Sequence, residues 1–226
     1  MIDKSPLELE RLRTEIDTVN WFHRIDLGDG IVTPGIDNTP LKIREINLPS
    51  DLHGKSVLDI GAWNGALSFE CEKRGASRVL ATDFYCWHGG NNREGRKGFE
   101  IARDALHSKV EDKEIRVEDI APETVGMFDV VLFLGVLYHA EDPLGYLRRV
   151  RSVCKDMAII ETHVDAMDVP RPALIFYEGP ALNGDPSNFF GPNQLAVEAM
   201  CREVGFKHVE KIGEYFGNRM SFMARV

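Results

Sequence analysis

The chain has 226 residues, 43% hydrophobic and 28% charged, which supplies material for a sizeable core and is ordinary for a globular enzyme. A formal net charge of -9 argues against a surface built to neutralise many phosphates, and the longest apolar stretch, Val130 to Tyr138, is too short to span a bilayer. Cys71, Cys86, Cys154 and Cys201 lie far apart without metal-type spacing, and the opening Met-Ile-Asp-Lys-Ser-Pro lacks the basic-then-apolar order of a signal peptide, so the expectation is a cytoplasmic protein with reduced thiols.

The first element is a helix with Ser5 as cap, Pro6 in the first turn, Glu8 three residues after the cap, and Leu9, Leu12 and Ile16 at helical spacing. Leu27 to Pro40, punctuated by glycine and proline, reads as a covering loop. After Lys55, strand patterns at Ser56–Ile60, Arg78–Thr82, Glu114–Glu118, Asp129–Leu134 and Met157–Glu161 alternate with helical patterns at Ala66–Arg74, Arg93–Leu106 and Pro143–Val153. The basic runs Arg93-Glu94-Gly95-Arg96-Lys97 and Arg148-Arg149-Val150-Arg151 fall in helical patterns and read as solvated faces. Buried strands alternating with helices predict a parallel sheet with right-handed crossovers. Residues 169–193 hold five prolines and three glycines together with Phe176, Tyr177, Phe189 and Phe190, as a packed lid would. A helix at about Asn193–Val204, ended by Gly205, and strands Phe206–Ile212 and Met220–Val226 close the chain as an edge hairpin. The predicted fold is α/β: a doubly wound, seven-stranded, Rossmann-like sheet in one domain. Residues 1–50 form an N-terminal helical cover, 51–165 the core, 166–193 the lid, and 194–226 the last helix and edge hairpin.

The strongest local signal is Val57-Leu58-Asp59-Ile60-Gly61-Ala62-Trp63-Asn64-Gly65, a buried strand running into a glycine turn where the backbone approaches a ligand closely. Eighteen residues after Gly65, Asp83 ends the second strand, the place from which an acid reaches the ribose of a nucleoside. A plain strand–turn–helix with Asp83 as a surface acid is the alternative. Trp63 stands where a dinucleotide turn needs its middle glycine and crowds the site of a pyrophosphate, while Asp59 is placed to meet an ammonium group. An amino-acid-bearing nucleoside therefore fits better than NAD.

In these motifs the chain resembles the class I S-adenosylmethionine-dependent methyltransferases. The resemblance implies that S-adenosylmethionine is the cofactor, with Asp59, Gly61, Ala62, Trp63 and Gly65 around its methionine part and Asp83 on its ribose. It further implies Asp119 and Ile120 at the adenine, Phe84 on the adenine face, and Leu134, Gly135, Tyr138 and Trp21 among the cofactor residues. Asp119 also reads as a helix cap or surface acid, and Trp21 as an anchor for the first helix. Phe128 to His139 (with Gly135-Val136-Leu137-Tyr138-His139 its most specific piece), Asp142-Pro143-Leu144, Glu161-Thr162, Pro192 and Gly205-Phe206 resemble a narrower group. This is the tRNA wobble-uridine 5-oxyacetyl (carboxymethyl) transferase-like family with its uncharacterised relatives, and the likeness covers about Asp51 to Val226. The tRNA enzymes use carboxy-S-adenosylmethionine. Tyr138 matches a family tyrosine, Arg219 sits near the place of its C-terminal arginine, and Lys42 aligns with a family lysine. Other parts of that cationic pocket have no equivalent, so ordinary S-adenosylmethionine is expected.

Methyl transfer to a hydroxyl requires alignment and a base. His139 and His163, at or just beyond strand ends, are the candidate catalytic residues, and His139 reads equally as a structural histidine shaping its turn. His23, Tyr177, Asn188, Phe189 and Arg219 are candidate acceptor-binding residues, with Phe176 beside them; lid packing is the other reading of the aromatics. His139, Glu161, His163 and Asp165 raise the possibility of a metal, but strand alternation places some of them apart, and none is expected. The expected reaction is methylation of a small polar molecule (a sugar or secondary metabolite), at oxygen. The alternatives are a tRNA wobble-uridine carboxymethyl or methyl transferase and a nucleoside-binding module without catalysis. The expected partner is a small-molecule acceptor, not nucleic acid or a membrane, and the sequence leaves the oligomeric state open.

Overall fold

The computed structural model describes residues 4–88, 95–215 and 218–226. Arg93 and Glu94, where a helix was expected to begin, lie outside the described residues. Two compact units result: one comprises the chain up to Ile43 with Ser50–Arg116, the other Arg44–Pro49 with Val117–Val226. Within the described residues no helix is long and apolar enough to cross a membrane.

The first unit opens with α1 (Pro6–Ile16), whose start is the capping box expected from Ser5 and Glu8: the Ser5 hydroxyl accepts from the Glu8 N–H and the Glu8 carboxylate accepts from the Ser5 N–H at 2.7 Å. The stretch expected to be a covering loop ends in a short helix, α2 (Thr39–Glu45), and carries an isolated bridge between Asp26 and Val32. Then come β1 (Ser56–Ile60), α3 (Ala66–Lys73), β2 (Arg78–Asp83), α4 (Lys97–Ala105) and β3 (Glu111–Glu114), with parallel strands in the order β3-β2-β1. Val57, Leu58 and Ile60 are almost wholly buried, the pattern of a parallel strand covered on both faces. The third strand was expected at Glu114–Glu118. It forms earlier instead, because Glu111–Glu114 pairs in register with Leu80–Asp83 while Val117–Asp119 tightens into a 3-10 turn. Tertiary pairing overrides a weak local preference in so polar a segment (Glu-Asp-Lys-Glu).

The second unit contains α5 (Pro122–Val125), β4 (Phe128–Leu134), α6 (Pro143–Val153), β5 (Cys154–His163), β6 (Leu174–Phe176), β7 (Phe190–Pro192), α7 (Gln194–Glu203), β8 (His208–Tyr215) and β9 (Arg219–Arg225). Its main strands run in the order β4-β5-β9-β8; β4 and β5 are parallel, and the β8–β9 hairpin is antiparallel, as expected of the chain's ending. α6 spans the residues its pattern indicates, because the Asp142 carboxylate caps it from Gly145 N–H at 2.8 Å and Pro143 supplies the first turn.

The proline-rich segment is more regular than its composition suggests. β6 and β7 pair antiparallel within it. Asn193, only 2% exposed, caps α7 from Ala196 N–H (2.9 Å), accepts from Ala173 N–H, and donates to the carbonyls of Val169 and Arg171. One buried amide thus satisfies backbone groups that a loop of this length leaves over. The three parallel strands of the first unit and the four of the second give the α/β class and strand number that were expected.

Candidate functional site

In the first unit the β1–α3 turn is held through its backbone groups, which meet both backbone and side-chain partners. Gly61 and Gly65 have φ of 80° and 85°, and Trp63 adopts φ 45°, a left-handed conformation costly for a bulky side chain. Four contacts hold Trp63 there. Its N–H donates to Asp83 (3.0 Å), its carbonyl accepts from the Trp87 indole (2.7 Å), and its ring stacks on Phe22 (4.4 Å, 6°) with His23 edge-on at 6.4 Å. The N–H groups of Gly61 and Ala62 both donate to the Thr82 carbonyl, which draws the turn to the end of β2. There Asp83 also accepts from Cys86 N–H at 2.9 Å.

Asp59 is 4% exposed and accepts from the Ser68 hydroxyl at 2.6 Å. Burial, with a smaller contribution from the Asp83 charge, pushes its carboxyl up to about 6. Two buried acids, Asp59 before the turn and Asp83 at the end of β2, favour a cationic ligand over an anionic one. That donor set fits a nucleoside bearing a sulfonium and an ammonium, and it suits no pyrophosphate. Asn64 clamps the N-terminal segment to this turn, its side-chain carbonyl accepting from the N–H groups of Phe22 and His23. His23 is held neutral, its pKa driven to about 3 by burial and then by the Lys42 charge, and among the described residues its Nδ1 is buried without a hydrogen-bond partner.

Two of the expected cofactor residues also have partners within the first unit. The Trp21 indole donates to the Ile16 carbonyl at 3.0 Å, closing α1. The Phe84 ring packs against Arg116 (3.8 Å) and His88 (4.6 Å).

In the second unit the expected residues gather at the ends of β4 and β5. Gly135, φ 74°, donates its N–H to the Glu161 carbonyl at 2.9 Å. A 3-10 turn, Leu137–His139, follows. The Tyr138 carbonyl accepts from Phe189 N–H (2.8 Å), and His139 Nδ1 donates to the Ser187 carbonyl (2.8 Å), so His139 ties its turn to the proline-rich segment. Glu161, fully buried, receives Arg219 in a bidentate pair at 2.5 and 2.7 Å, and the guanidinium lies 4.6 Å over the Tyr138 ring. The Glu161 and Tyr138 neighbours outweigh burial and raise the Arg219 pKa.

His163 Nε2 lies 3.0 Å from the Tyr177 hydroxyl, which donates to Asp165 at 2.7 Å. Burial, and then the Arg219 charge, hold the His163 imidazole below its ordinary range. Asn188 is 4% exposed, its carbonyl oxygen buried without a partner among the described residues. Asp119 is exposed at the end of the Val117–Asp119 turn, next to the fully buried Ile120, and Leu134 ends β4. Among the described residues, no group of three or more His, Cys, Asp or Glu side chains is placed to hold a metal ion, and Glu161 turns to Arg219.

Sequence reasoning missed Phe22, Asn64, Ser68 and Arg116. Asn64 and Ser68 stand in or just after the glycine turn and were findable there; Phe22 and Arg116 meet their partners only through the fold.

An acid–glycine turn, an acid at the end of the next strand and an α/β scaffold define a class I S-adenosylmethionine-dependent methyltransferase. Residues 38–211 match the family described as "Methyltransferase domain", and the chain belongs to it. It is 29% identical over 182 residues to a ubiquinone biosynthesis O-methyltransferase of Neisseria meningitidis serogroup C, across 75% of this chain and 71% of that enzyme. To a tRNA U34 carboxymethyltransferase of Campylobacter jejuni it is 24% identical over 161 residues, across 71% of this chain and 52% of that one. Among solved structures, the N-terminal domain of EvdMO1 with SAH bound matches with a TM-score of 0.71 at 19% identity, covering 100% of this chain and 98% of that one. The same domain in the presence of SAH and D-fucose gives 0.68 at 18% identity, covering 97% of each. These likenesses show the fold to be the Rossmann-like one of the class, and S-adenosylmethionine is the methyl donor that the family implies.

Proposed function

We propose that the chain methylates an oxygen of a small polar acceptor, a sugar or another hydroxylated metabolite. The observation that carries this reading is His163: an imidazole kept neutral at the end of β5, among polar aromatic side chains, is the base a hydroxyl acceptor needs. The cofactor supplies an electrophilic methyl on a sulfonium: the acceptor oxygen gains the methyl, the sulfur keeps the electron pair of the broken bond, and the hydroxyl proton goes to a base. In the first unit, Asp59 and the Gly61–Gly65 turn hold the methionine end, and Asp83 takes the ribose hydroxyls. In the second, His163 takes the proton, while Asn188 and Phe189 bind the acceptor. His139 ties its turn to the Ser187 carbonyl through its Nδ1 proton, a bond that leaves its Nε2 as a second proton-accepting atom. The EvdMO1 domain's sugar and the O-methylation named for the Neisseria relative both accord with a hydroxylated acceptor.

The test is native mass spectrometry for retained S-adenosylmethionine or its demethylated product, followed by labelled-methyl transfer to a panel of monosaccharides and diols. Transfer to hydroxyls that is lost in His163→Ala is expected. Retention of the cofactor with transfer only to amines sinks the oxygen assignment.

The likeness to the tRNA U34 enzyme, with Tyr138 beside Arg219, favours a second reading, carboxymethyl transfer to tRNA. Against it, Glu161 already neutralises Arg219, leaving little net charge for an extra carboxylate. Recovery of the carboxylated cofactor, or salt-sensitive tRNA binding, decides for it.

A further inference from the structure

We propose that Tyr177 and Asp165 are positioning residues that fix His163 as its Nε2–H tautomer and leave Nδ1 as the proton-accepting atom. This rests on the reading that the chain methylates a hydroxyl. The inference follows from counting protons. Tyr177 oxygen lies 2.7 Å from Asp165 Oδ2 and 3.0 Å from His163 Nε2. Asp165 is held below its ordinary range by the Tyr177 hydroxyl and by the N–H of Ala166, so it is a carboxylate and only accepts. The single phenolic proton therefore points at Asp165, and the phenolic oxygen presents a lone pair to His163. Nε2 must then carry the proton of the neutral imidazole, and Nδ1 is bare.

The surroundings support this order. Of the charged groups facing His163, Arg219 on β9 disfavours an imidazolium, while Asp165 just past β5 and Glu161 within β5 favour it; the Tyr138 ring stands edge-on at 6.4 Å. A proton taken up at Nδ1 thus creates a charge that Asp165 stabilises through Tyr177, with no proton moving along the chain. Gly191 on β7 keeps the space open: a Cβ there would collide with the Tyr177 hydroxyl and stand 2.9 Å from the Asp165 Cβ. The three groups come from the end of β5, the residue two past it and the residue after β6, so the hydrogen bonds also fasten the proline-rich segment to the base.

Imidazole 15N spectra of histidine-labelled protein read the tautomer directly, without an acceptor. Wild type is expected to show His163 protonated on Nε2. In Asp165→Ala the phenol is free to donate to Nε2, and the signature should flip to Nδ1–H. In Tyr177→Phe it should relax to a mixture. With an acceptor in hand, Tyr177→Phe should lower kcat roughly tenfold with KM for S-adenosylmethionine unchanged. A wild-type Nδ1–H signature, or one identical in all three proteins, overturns the proposal even if hydroxyls are methylated. The expected tautomers without methylation of any hydroxyl uphold the assignment and sink only the functional reading beneath it.

Discussion

The two units hold their chemistry in different ways. In the first, Asp83 at the end of β2 accepts from the backbone N–H groups of Trp63 and Cys86, and Asp59 accepts from the hydroxyl of Ser68. In the second, side chains hold side chains, Glu161 with Arg219 and His163 with Asp165 through Tyr177. A site built on backbone donors keeps its geometry when one side chain changes, whereas a side-chain network fails as a unit.

The sharpest way to break this comparison is Glu161→Gln. It strands the Arg219 guanidinium, whose side chain is 23% exposed, beside a fully buried neutral amide. We expect a loss of about 4 kcal/mol in urea unfolding, with much of it recovered when Arg219→Met is added, since an apolar pair leaves no charge uncompensated. A double variant no better than the single one would show that the pair is not a unit.

The first unit's counterpart is a pH dependence. Because the folded-state pKa of Asp59, about 6, lies above its ordinary 3.8, the folded protein binds more protons between those values. The stabilisation is complete below pH 3.8 and is lost as pH rises through 6, by about 3 kcal/mol. Asp59→Asn should remove this slope, which the difference in unfolding free energy between the two proteins at pH 4.5 and 7.5 would measure. The same burial predicts that S-adenosylmethionine binding near pH 6 releases a proton, detectable by calorimetry in buffers of different ionisation enthalpy. No release, together with unchanged affinity in Asp59→Asn, would remove Asp59 from the cofactor site.

The same contrast explains what could be read from the chain. Asp59, Gly61, Gly65 and Asp83 announce themselves because a ligand turn needs contiguous residues and fixed spacing, and the capped helices α1 and α6 were legible for the same local reason. The roles of His139 and His163 were not. Both follow apolar strands and look alike in sequence, and only the fold commits one to the Ser187 carbonyl and the other to Tyr177. Trp21 reads in sequence as a cofactor cover or a helix anchor, and only the fold shows its indole on the Ile16 carbonyl. The third strand was misplaced because Glu111–Glu114 has no apolar pattern and owes its strand to β2.

Asn193 offers an intermediate case, a side chain that acts on backbone within the second unit. Asn193→Ala removes the α7 cap and leaves the Val169 and Arg171 carbonyls without its amide, at a cost of about 2 kcal/mol. Limited proteolysis should then cut within residues 169–193 faster than in wild type. Equal cutting rates would mean that β6–β7 pairing, not Asn193, orders the segment.

The smallest expected effect tests the first unit where it most resembles the second. Trp63 sits at φ 45°, and its ring stacks on Phe22 at 4.4 Å. If the turn is held by the hydrogen bonds of the Trp63 N–H to Asp83 and of the Trp87 indole to the Trp63 carbonyl, the stack contributes only the ordinary increment for an aromatic pair, about 1 kcal/mol. A double-mutant cycle of Phe22→Leu with Trp63→Leu isolates that term, because the left-handed strain is present in both Trp63 backgrounds and cancels. A coupling as large as that of Glu161 with Arg219 would mean that the N-terminal aromatic, and not those hydrogen bonds, holds the cofactor turn in its strained form. Cofactor affinity should then fall in Phe22→Leu alone, although Phe22 belongs to no motif the sequence displays.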